Sequence, residues 1–230
     1  MNKKVKVKVK VRKLNFKNII LFLLILYILF LLVSSIINKK ITNIYITGNN
    51  IISDKEIIKL AKLQDYPSFV LTLKDKVKKN IKKNDYIEEV SVKKKFFGKI
   101  YIDILEKKVL FKEKNTNKLV LSDKLKVDNN YSLLEVPILI NDVDLEVYDK
   151  MIEKFSLIDN EVLLKISEIE YAKIDVDKER FLLYMNDGNY VYVTLSKIES
   201  LNKYEEIYNN LEGKVGIIYL DSGNYFEQVG

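Results

Sequence analysis

Apolar residues fall along this chain in three patterns. The first is a block: residues 19–37, IILFLLILYILFLLVSSII, hold nineteen positions without a charge. As a helix rising 1.5 Å per residue it is about 28 Å long, close to the hydrocarbon thickness of a bilayer. A cleaved signal has a shorter apolar core, roughly 7–15 residues. Although Val33-Ser34-Ser35 supplies small residues where a peptidase cuts, the block is therefore expected to remain as a membrane anchor.

The second pattern alternates. Ile44 and Ile46 share one face of a strand opposite Tyr45 and Thr47; Val90 and Val92 oppose Ser91 and Lys93; Ile100, Ile102 and Ile104 oppose Tyr101 and Asp103. Phe96-Phe97-Gly98-Lys99 separates the last two runs and predicts a hairpin. The third pattern is helical. Ser53-Asp54-Lys55-Glu56 is a capping box, in which a Ser hydroxyl and a Glu carboxylate serve orphaned N–H groups at a helix start. A helix from Asp54 to about Leu63 then buries Ile57, Ile58, Leu60 and Ala61, and Pro67 enforces its end. A second helix, about residues 73–83, sets Val77 and Ile81 one turn apart. Strand, helix, helix, strand, strand is a unit that stacks two helices on one face of a small sheet.

Downstream, strands are expected at 168–176, 180–185, 190–195 and 215–220, with Asp187-Gly188 as a hairpin turn. Helices are expected near 147–157 and over 197–211, the latter burying Ile198, Leu201 and Ile207. The fold class is α+β: one transmembrane helix, a β-α-α-β-β domain, and a second mixed, mostly antiparallel β domain with flanking helices. The expected boundaries are 1–18 for a basic tail, 19–37 for the membrane helix, 41–108 and 109–221 for the two domains, and 222–230 for a C-terminal tail.

Charge alters this picture only once it is located. The chain is 230 residues with a formal charge of +7, but residues 1–17 hold eight basic side chains and no acid, leaving 31 basic against 32 acidic residues after them. The eight positive charges place the tail, with its alternating Val-Lys run at 5–11, in the cytoplasm beside anionic headgroups, and the rest of the chain outside. Nucleic acid is therefore not an expected partner. The outer part is itself split. Residues 38–114 carry 19 basic and 10 acidic side chains, and residues 115–230 carry 12 and 22. A basic, membrane-proximal domain attracts lipid headgroups, anionic polymers or an acidic partner, and Lys93, Lys94 and Lys95 beside the hairpin are the expected contact.

Catalytic chemistry has little to work with. The chain has no His and no Cys, which removes imidazole bases, thiolates and the usual zinc or haem ligands. Ser91-Val92-Lys93-Lys94 has the spacing of a Ser-Lys dyad, but on a strand the alternation sends Ser91 and Lys94 to opposite faces. Glu88-Glu89, Glu205-Glu206 and the group Asp142, Asp144, Glu146 read as surface or helix-start charge, and Asp142-Val143-Asp144 lacks the other ligands of a calcium loop. No cofactor, metal or small-molecule substrate is expected, and the chain is not expected to be an enzyme. The alternative within catalysis is a membrane-anchored Ser-Lys hydrolase.

ITNIYITGNNIISDKEI followed by YIEEVSVKKKFFGKIYIDILEKK resembles the POTRA domain of the FtsQ/DivIB family of bacterial cell-division proteins. The matching elements are Ile46-Thr47-Gly48-Asn49, Val90-Ser91-Val92 and Ile102-Asp103-Ile104-Leu105-Glu106. The chain departs from the family pattern at the hairpin, where Phe97-Gly98 replaces a common Pro, and at Lys107, where Arg often stands. Further on, Val109-Leu110-Phe111 runs on from the hairpin, and Leu119-Val120-Leu121-Ser122-Asp123 and Val136-Pro137-Ile138-Leu139-Ile140 resemble the family's later strands. The resemblance implies a single-pass protein with a cytoplasmic N-terminus at the division septum, a scaffold for small single-span coiled-coil proteins of the FtsL and FtsB/DivIC type, and a part in regulating septal peptidoglycan synthesis. It also implies that partners bind at the last strands, carried here onto Val215, Ile217, Tyr219, Leu220, Asp221 and Ser222. A POTRA-like adaptor of another envelope complex is the alternative binding role.

Overall fold

A computed structural model of the chain describes residues 16–130 and 135–229. Most of the expected basic tail, including its Val-Lys run, lies outside them. Helix α1 (Phe16–Ile37) is 22 residues long and buries none of them. Among the described residues it is the one helix long and apolar enough to cross a membrane.

The first outer domain has the expected order: β1 (Asn43–Thr47), α2 (Asp54–Leu60), α3 (Lys74–Ile81), β2 (Ile87–Lys95) and β3 (Lys99–Glu106). Strand β3 is central, parallel to β1 and antiparallel to β2. Ile100, Ile102 and Ile104 turn to the helices with Ile57, Val77 and Ile81, all buried. Ser53 caps α2 as the sequence predicts, its Oγ accepting the Glu56 N–H at 3.3 Å. The helix stops a turn earlier than expected because Lys62 adopts φ 59, a left-handed residue that ends the ladder.

Two residues of the sequence motifs explain the loop between β1 and α2. Gly48 sits at φ +81, and a Cβ there would lie 2.1 Å from the Ile104 carbonyl oxygen. Only glycine lets the chain turn so close to the central strand. Glu106 then receives the N–H groups of Asn50, Ile51 and Ile52, each at 2.8 Å. One carboxylate thus holds three successive amides that no strand or helix satisfies.

The second outer domain is a nine-stranded sheet. Its elements are β4 (Val109–Glu113), β5 (Leu119–Leu121), β6 (Lys126–Val127), β7 (Ile138–Leu139), α4 (Leu145–Phe155), α5 (Asn160–Leu163), β8 (Ile166–Tyr171), β9 (Arg180–Met185), β10 (Tyr190–Thr194), α6 (Tyr204–Asn210), β11 (Gly216–Tyr219) and β12 (Tyr225–Gln228). The strand order is β12-β11-β10-β9-β8-β7-β4-β5-β6, with parallel pairs at β10/β11, β4/β7 and β7/β8 and antiparallel pairs elsewhere. The α4 and α6 helices cover one face, where Phe111, Phe155, Phe181, Leu183, Val191, Val193 and Ile218 form the core.

Two departures from the expected pattern have physical reasons. Residues 195–203 form a 3-10 helix rather than the start of an α-helix. Its buried side chains, Leu195, Ile198 and Leu201, continue to Tyr204 at a spacing of three, the period of a helix with three residues per turn. The segment expected as a C-terminal tail contains β12, so the strand expected to be last is not the margin of the sheet. Four residues with two aromatics, Tyr225 and Phe226, are too short a run to show a period.

The two domains share a junction. Strand β4 follows β3 after two residues, and Tyr86, Ile87, Leu119, Leu121 and Val127 belong to one buried cluster with the core of the first outer domain. The Tyr86 hydroxyl donates to the Asp128 carbonyl at 2.9 Å across it.

Candidate functional site

The free margin beside the C-terminus is positioned by a hairpin. Gly216 opens β11 at a point where a Cβ would meet the Glu227 carbonyl oxygen at 2.2 Å and the Phe226 ring at 2.8 Å. Its N–H donates to the buried Asn189 side chain at 2.9 Å. The Leu220 N–H donates to Tyr192 at 2.8 Å. Even-numbered residues of β11 therefore point their backbone groups toward β10. Odd-numbered residues bond to β12, as the Val229 N–H to the Val215 carbonyl confirms. With Ile218 opposite Phe226 and Gly216 opposite Gln228, the antiparallel pattern turns the N–H and C=O of Phe226 and Gln228 away from the sheet. No described strand pairs with that side of β12.

The margin has two faces. On the helix side, Ile218, Leu220 and Phe226 line a groove of about 620 Å³ with Ile207, Lys203 and Glu206. On the other side, tyrosines run across four strands. The Tyr192 and Tyr219 rings lie 5.4 Å apart, Tyr219 and Tyr225 4.4 Å, and Tyr184 and Tyr190 5.4 Å. Tyr219 also donates to Glu227 at 3.0 Å, a bond that, ahead of burial, raises its pKa. Tyrosine combines a broad apolar ring with a polar end, and a partly exposed row of them suits a protein contact. The alternation of Tyr190 and Tyr192 was visible in the sequence, but their alignment with Tyr219 and Tyr225 depends on strand pairing that no local pattern reveals.

The expected contact residues separate by face and burial. Ile217 and Tyr219 lie on the tyrosine face beside Tyr190 and Tyr192, and Val215 is exposed at the start of β11. Leu220 is 3% exposed and belongs to the core. Asp221 bonds Arg180 Nε at 2.7 Å with both side chains largely covered, while the guanidinium lies 3.6 Å from the Tyr192 ring centroid. Burial raises the Asp221 pKa, but the bonds from Arg180 and Ser222 outweigh it and leave the value lowered. Asp221 thus clamps the end of β11 to β9, and Ser222 is exposed beyond it.

Lys93, Lys94 and Lys95 alternate as a strand requires. Lys93 faces Asp103 at 3.5 Å, and Lys95 lies 4.5 Å over the Tyr101 ring, which stacks on Tyr45. Lys94 turns to the other face, bonded to the carbonyls of Phe69 and Thr72. Burial, and then Lys74, lowers its pKa. Ser91 and Lys94 therefore sit on opposite faces of β2, and no dyad forms. The acidic group near residue 144 is occupied by local partners. Asp142 accepts from Asn115 at 2.7 Å, and Asp144 accepts from Lys173 at 2.7 Å and Tyr171 at 3.0 Å. A buried carboxylate that the sequence did not single out, Glu113, accepts from Tyr148 at 2.6 Å and from Lys126 and Thr116 at 2.7 Å. Its charge is satisfied within the sheet.

An apolar helix leading straight into a β-α-α-β-β unit and then a mixed sheet with a free margin at β12 defines an anchored POTRA protein. The family described as "POTRA domain, FtsQ-type" matches residues 39–107. The chain is 31% identical over 202 residues to the cell division protein DivIB of Bacillus subtilis (strain 168), covering 83% of this chain and 75% of that protein. It is 27% identical over 207 residues to the DivIB of Listeria monocytogenes serovar 1/2a, covering 82% and 72%. The solved major extracytoplasmic domain of the trans isomer of DivIB from Geobacillus stearothermophilus aligns at a TM-score of 0.38 and 21% identity, over 46% of this chain and 95% of that one, too loosely to carry argument. The chain belongs to the FtsQ/DivIB family of bacterial cell-division proteins. With α1 it has the make-up of a single-pass membrane protein.

Proposed function

We propose that this division protein is a bitopic scaffold whose outer sheet margin binds other single-span division proteins, of the FtsL and FtsB/DivIC type, and that by holding them at the septum it helps control septal peptidoglycan synthesis. Its N-terminus lies in the cytoplasm and both outer domains lie beyond the membrane. It turns over no substrate. The observation that carries this reading is the outward row of backbone groups on β12, flanked by an apolar groove. An extended partner segment adds a tenth strand there, gaining affinity from main-chain bonds and specificity from alternate side chains, one set entering the groove and the other lying on the tyrosines. Tyr225, Phe226 and Gln228 thereby join Val215, Ile217, Tyr219 and Ser222 as contact residues, while Leu220 and Asp221 hold the margin in place.

The test is affinity between the full chain and a coiled-coil partner of the same bacterium in detergent or nanodiscs. Gln228→Pro removes an outward donor at an edge position where proline is tolerated, and is expected to weaken binding by about tenfold or more. Gln228→Lys keeps the N–H and should stay within about twofold. Unchanged binding by the proline variant would end the reading.

A further inference from the structure

The end of the POTRA domain nearest α1 is tied together by short bonds. Ser68 Oγ donates to the Ile37 carbonyl at the end of α1. The Phe69 N–H donates to Lys39 at 2.8 Å, and the Ile41 N–H to Pro67 at 3.0 Å. The Thr42 N–H and hydroxyl reach the carbonyls of Gly98 at 2.9 Å and Phe97 at 2.8 Å. Lys94 then links the hairpin to the loop through Phe69 and Thr72. Thr42 follows Ile37 by five positions, a reach of at most about 18 Å. The loop at 66–73 and the hairpin tip at 96–98 are thus held close to the point where the chain leaves the apolar helix.

These two loops carry the four most exposed large apolar side chains described in the domain: Phe96 at 87%, Phe97 at 89%, and Leu71 and Leu73 at 64% each. Phe97 also sits at φ 66, a left-handed conformation that bulky residues rarely adopt. The surrounding segments, 39–42, 66–74 and 93–99, contain seven lysines and no acid. Apolar tips ringed by lysines, of which only Lys93 is paired with a carboxylate, Asp103, match the chemistry of an anionic bilayer surface, where aromatic rings settle at the headgroup boundary and ammonium groups meet phosphates.

We propose that this end of the POTRA domain is an interfacial membrane contact. Phe96, Phe97, Leu71 and Leu73 enter the headgroup boundary of the outer leaflet, and Lys39, Lys40 and Lys74 face anionic lipid. The inference rests on α1 spanning the bilayer, and it is independent of what binds β12. The bonds from Ser68 and Phe69 hold the domain to the end of α1, and two loops in the lipid surface fix the tilt of both against the bilayer. Through the shared junction cluster that tilt sets the orientation of the second sheet, which lowers the ordering cost for a partner anchored in the same membrane.

The chain has no Trp, so Phe97→Trp introduces one reporter at an exposed aromatic position. In the full chain reconstituted in phosphatidylglycerol/phosphatidylcholine vesicles, its emission should shift to the blue and be quenched by lipids brominated high on the acyl chain. Leu164→Trp, exposed in the second domain, should remain water-like. Adding Phe96→Ser and moving the reporter to Leu71→Trp should cut quenching by about half or more. Pure phosphatidylcholine should weaken it further in every case. Flotation with the vesicles checks the anchor separately. A floating protein whose Phe97→Trp reporter stays water-like in anionic vesicles overturns the proposal, as does a reporter shielded only when another membrane protein is added.

Discussion

The two outer domains leave different things uncovered. The POTRA domain is basic, with a three-stranded sheet, and its four most exposed apolar side chains gather at the end tied to α1. The second domain is acidic, with a nine-stranded sheet, and besides the exposed Leu145 and Val176 what it leaves uncovered is a backbone margin at β12 and a face of tyrosines. Loose apolar tips suit a fluid surface, which needs no register. An ordered margin suits a polypeptide, which does. The comparison assigns lipid and protein contact to different domains, and it can be broken by asking how each domain fails.

The largest effects come from matching glycines. Gly48→Ala and Gly216→Ala would each drive a Cβ to just over 2 Å from a carbonyl oxygen, of Ile104 and Glu227 respectively. The first clash falls on the central strand of a three-stranded sheet, at a positive φ, and is expected to destabilise the POTRA domain by about 3 kcal/mol or more. The second falls between β11 and the terminal strand, whose detachment should free β12 with little loss elsewhere. Hydrogen exchange read segment by segment distinguishes them. Gly48→Ala should expose residues across 43–106, while Gly216→Ala should expose only the segment after 224 and abolish partner binding. Global unfolding by Gly216→Ala would show that the margin is part of the core.

The Arg180–Asp221 pair sharpens the second half of the comparison. Asp221→Asn leaves Arg180 largely covered without its counter-charge, and about 3 kcal/mol of stability should be lost. Because the folded Asp221 pKa lies below its ordinary 3.8, its contribution is complete above that value. It disappears as pH falls from about 4 through the lowered folded value, since the unfolded carboxylate takes up its proton first. Glu113, whose pKa is also lowered by bonds from Lys126, Tyr148 and Thr116 against the opposing effect of burial, acts in the same direction. Urea midpoints should therefore drop between pH 6 and pH 3 in the wild type, and by a smaller step in Asp221→Asn. Equal steps would mean that the pair contributes nothing specific.

The legibility of these features in the sequence followed their range along the chain. Alternation placed β1, β2, β3 and β9, and the capping residues placed α2, because each depends on neighbours within a few positions. Gly48 and Glu106 were legible as motif residues, but their meeting with Ile104 and with Asn50 to Ile52 joins positions more than fifty apart. The 3-10 stretch was misassigned because Leu195, Ile198, Leu201 and Tyr204 at a spacing of three also fit part of an α-helical face. β12 was missed because a four-residue strand becomes one only through its partner. Asp221 was named as a contact residue through the family resemblance, which says nothing of its partner Arg180, 41 positions earlier.

The smallest predicted effect concerns the joint on which the comparison depends. If lipid contact at one domain orients the margin of the other, the two must move together, and the junction cluster around Tyr86 and Leu119 is what couples them. Tyr86→Phe keeps the ring in that cluster and removes its hydroxyl from the Asp128 carbonyl, which should cost about 1 kcal/mol. A local loss would appear as faster exchange confined to residues 119–130. A coupled joint predicts more: exchange should also rise at 84–90, on the POTRA side, and by a similar factor, because the two sides lose their common buried contact together. If only one side responds, the domains hinge freely at Lys107 and Lys108, and the tilt of the first says nothing about the second.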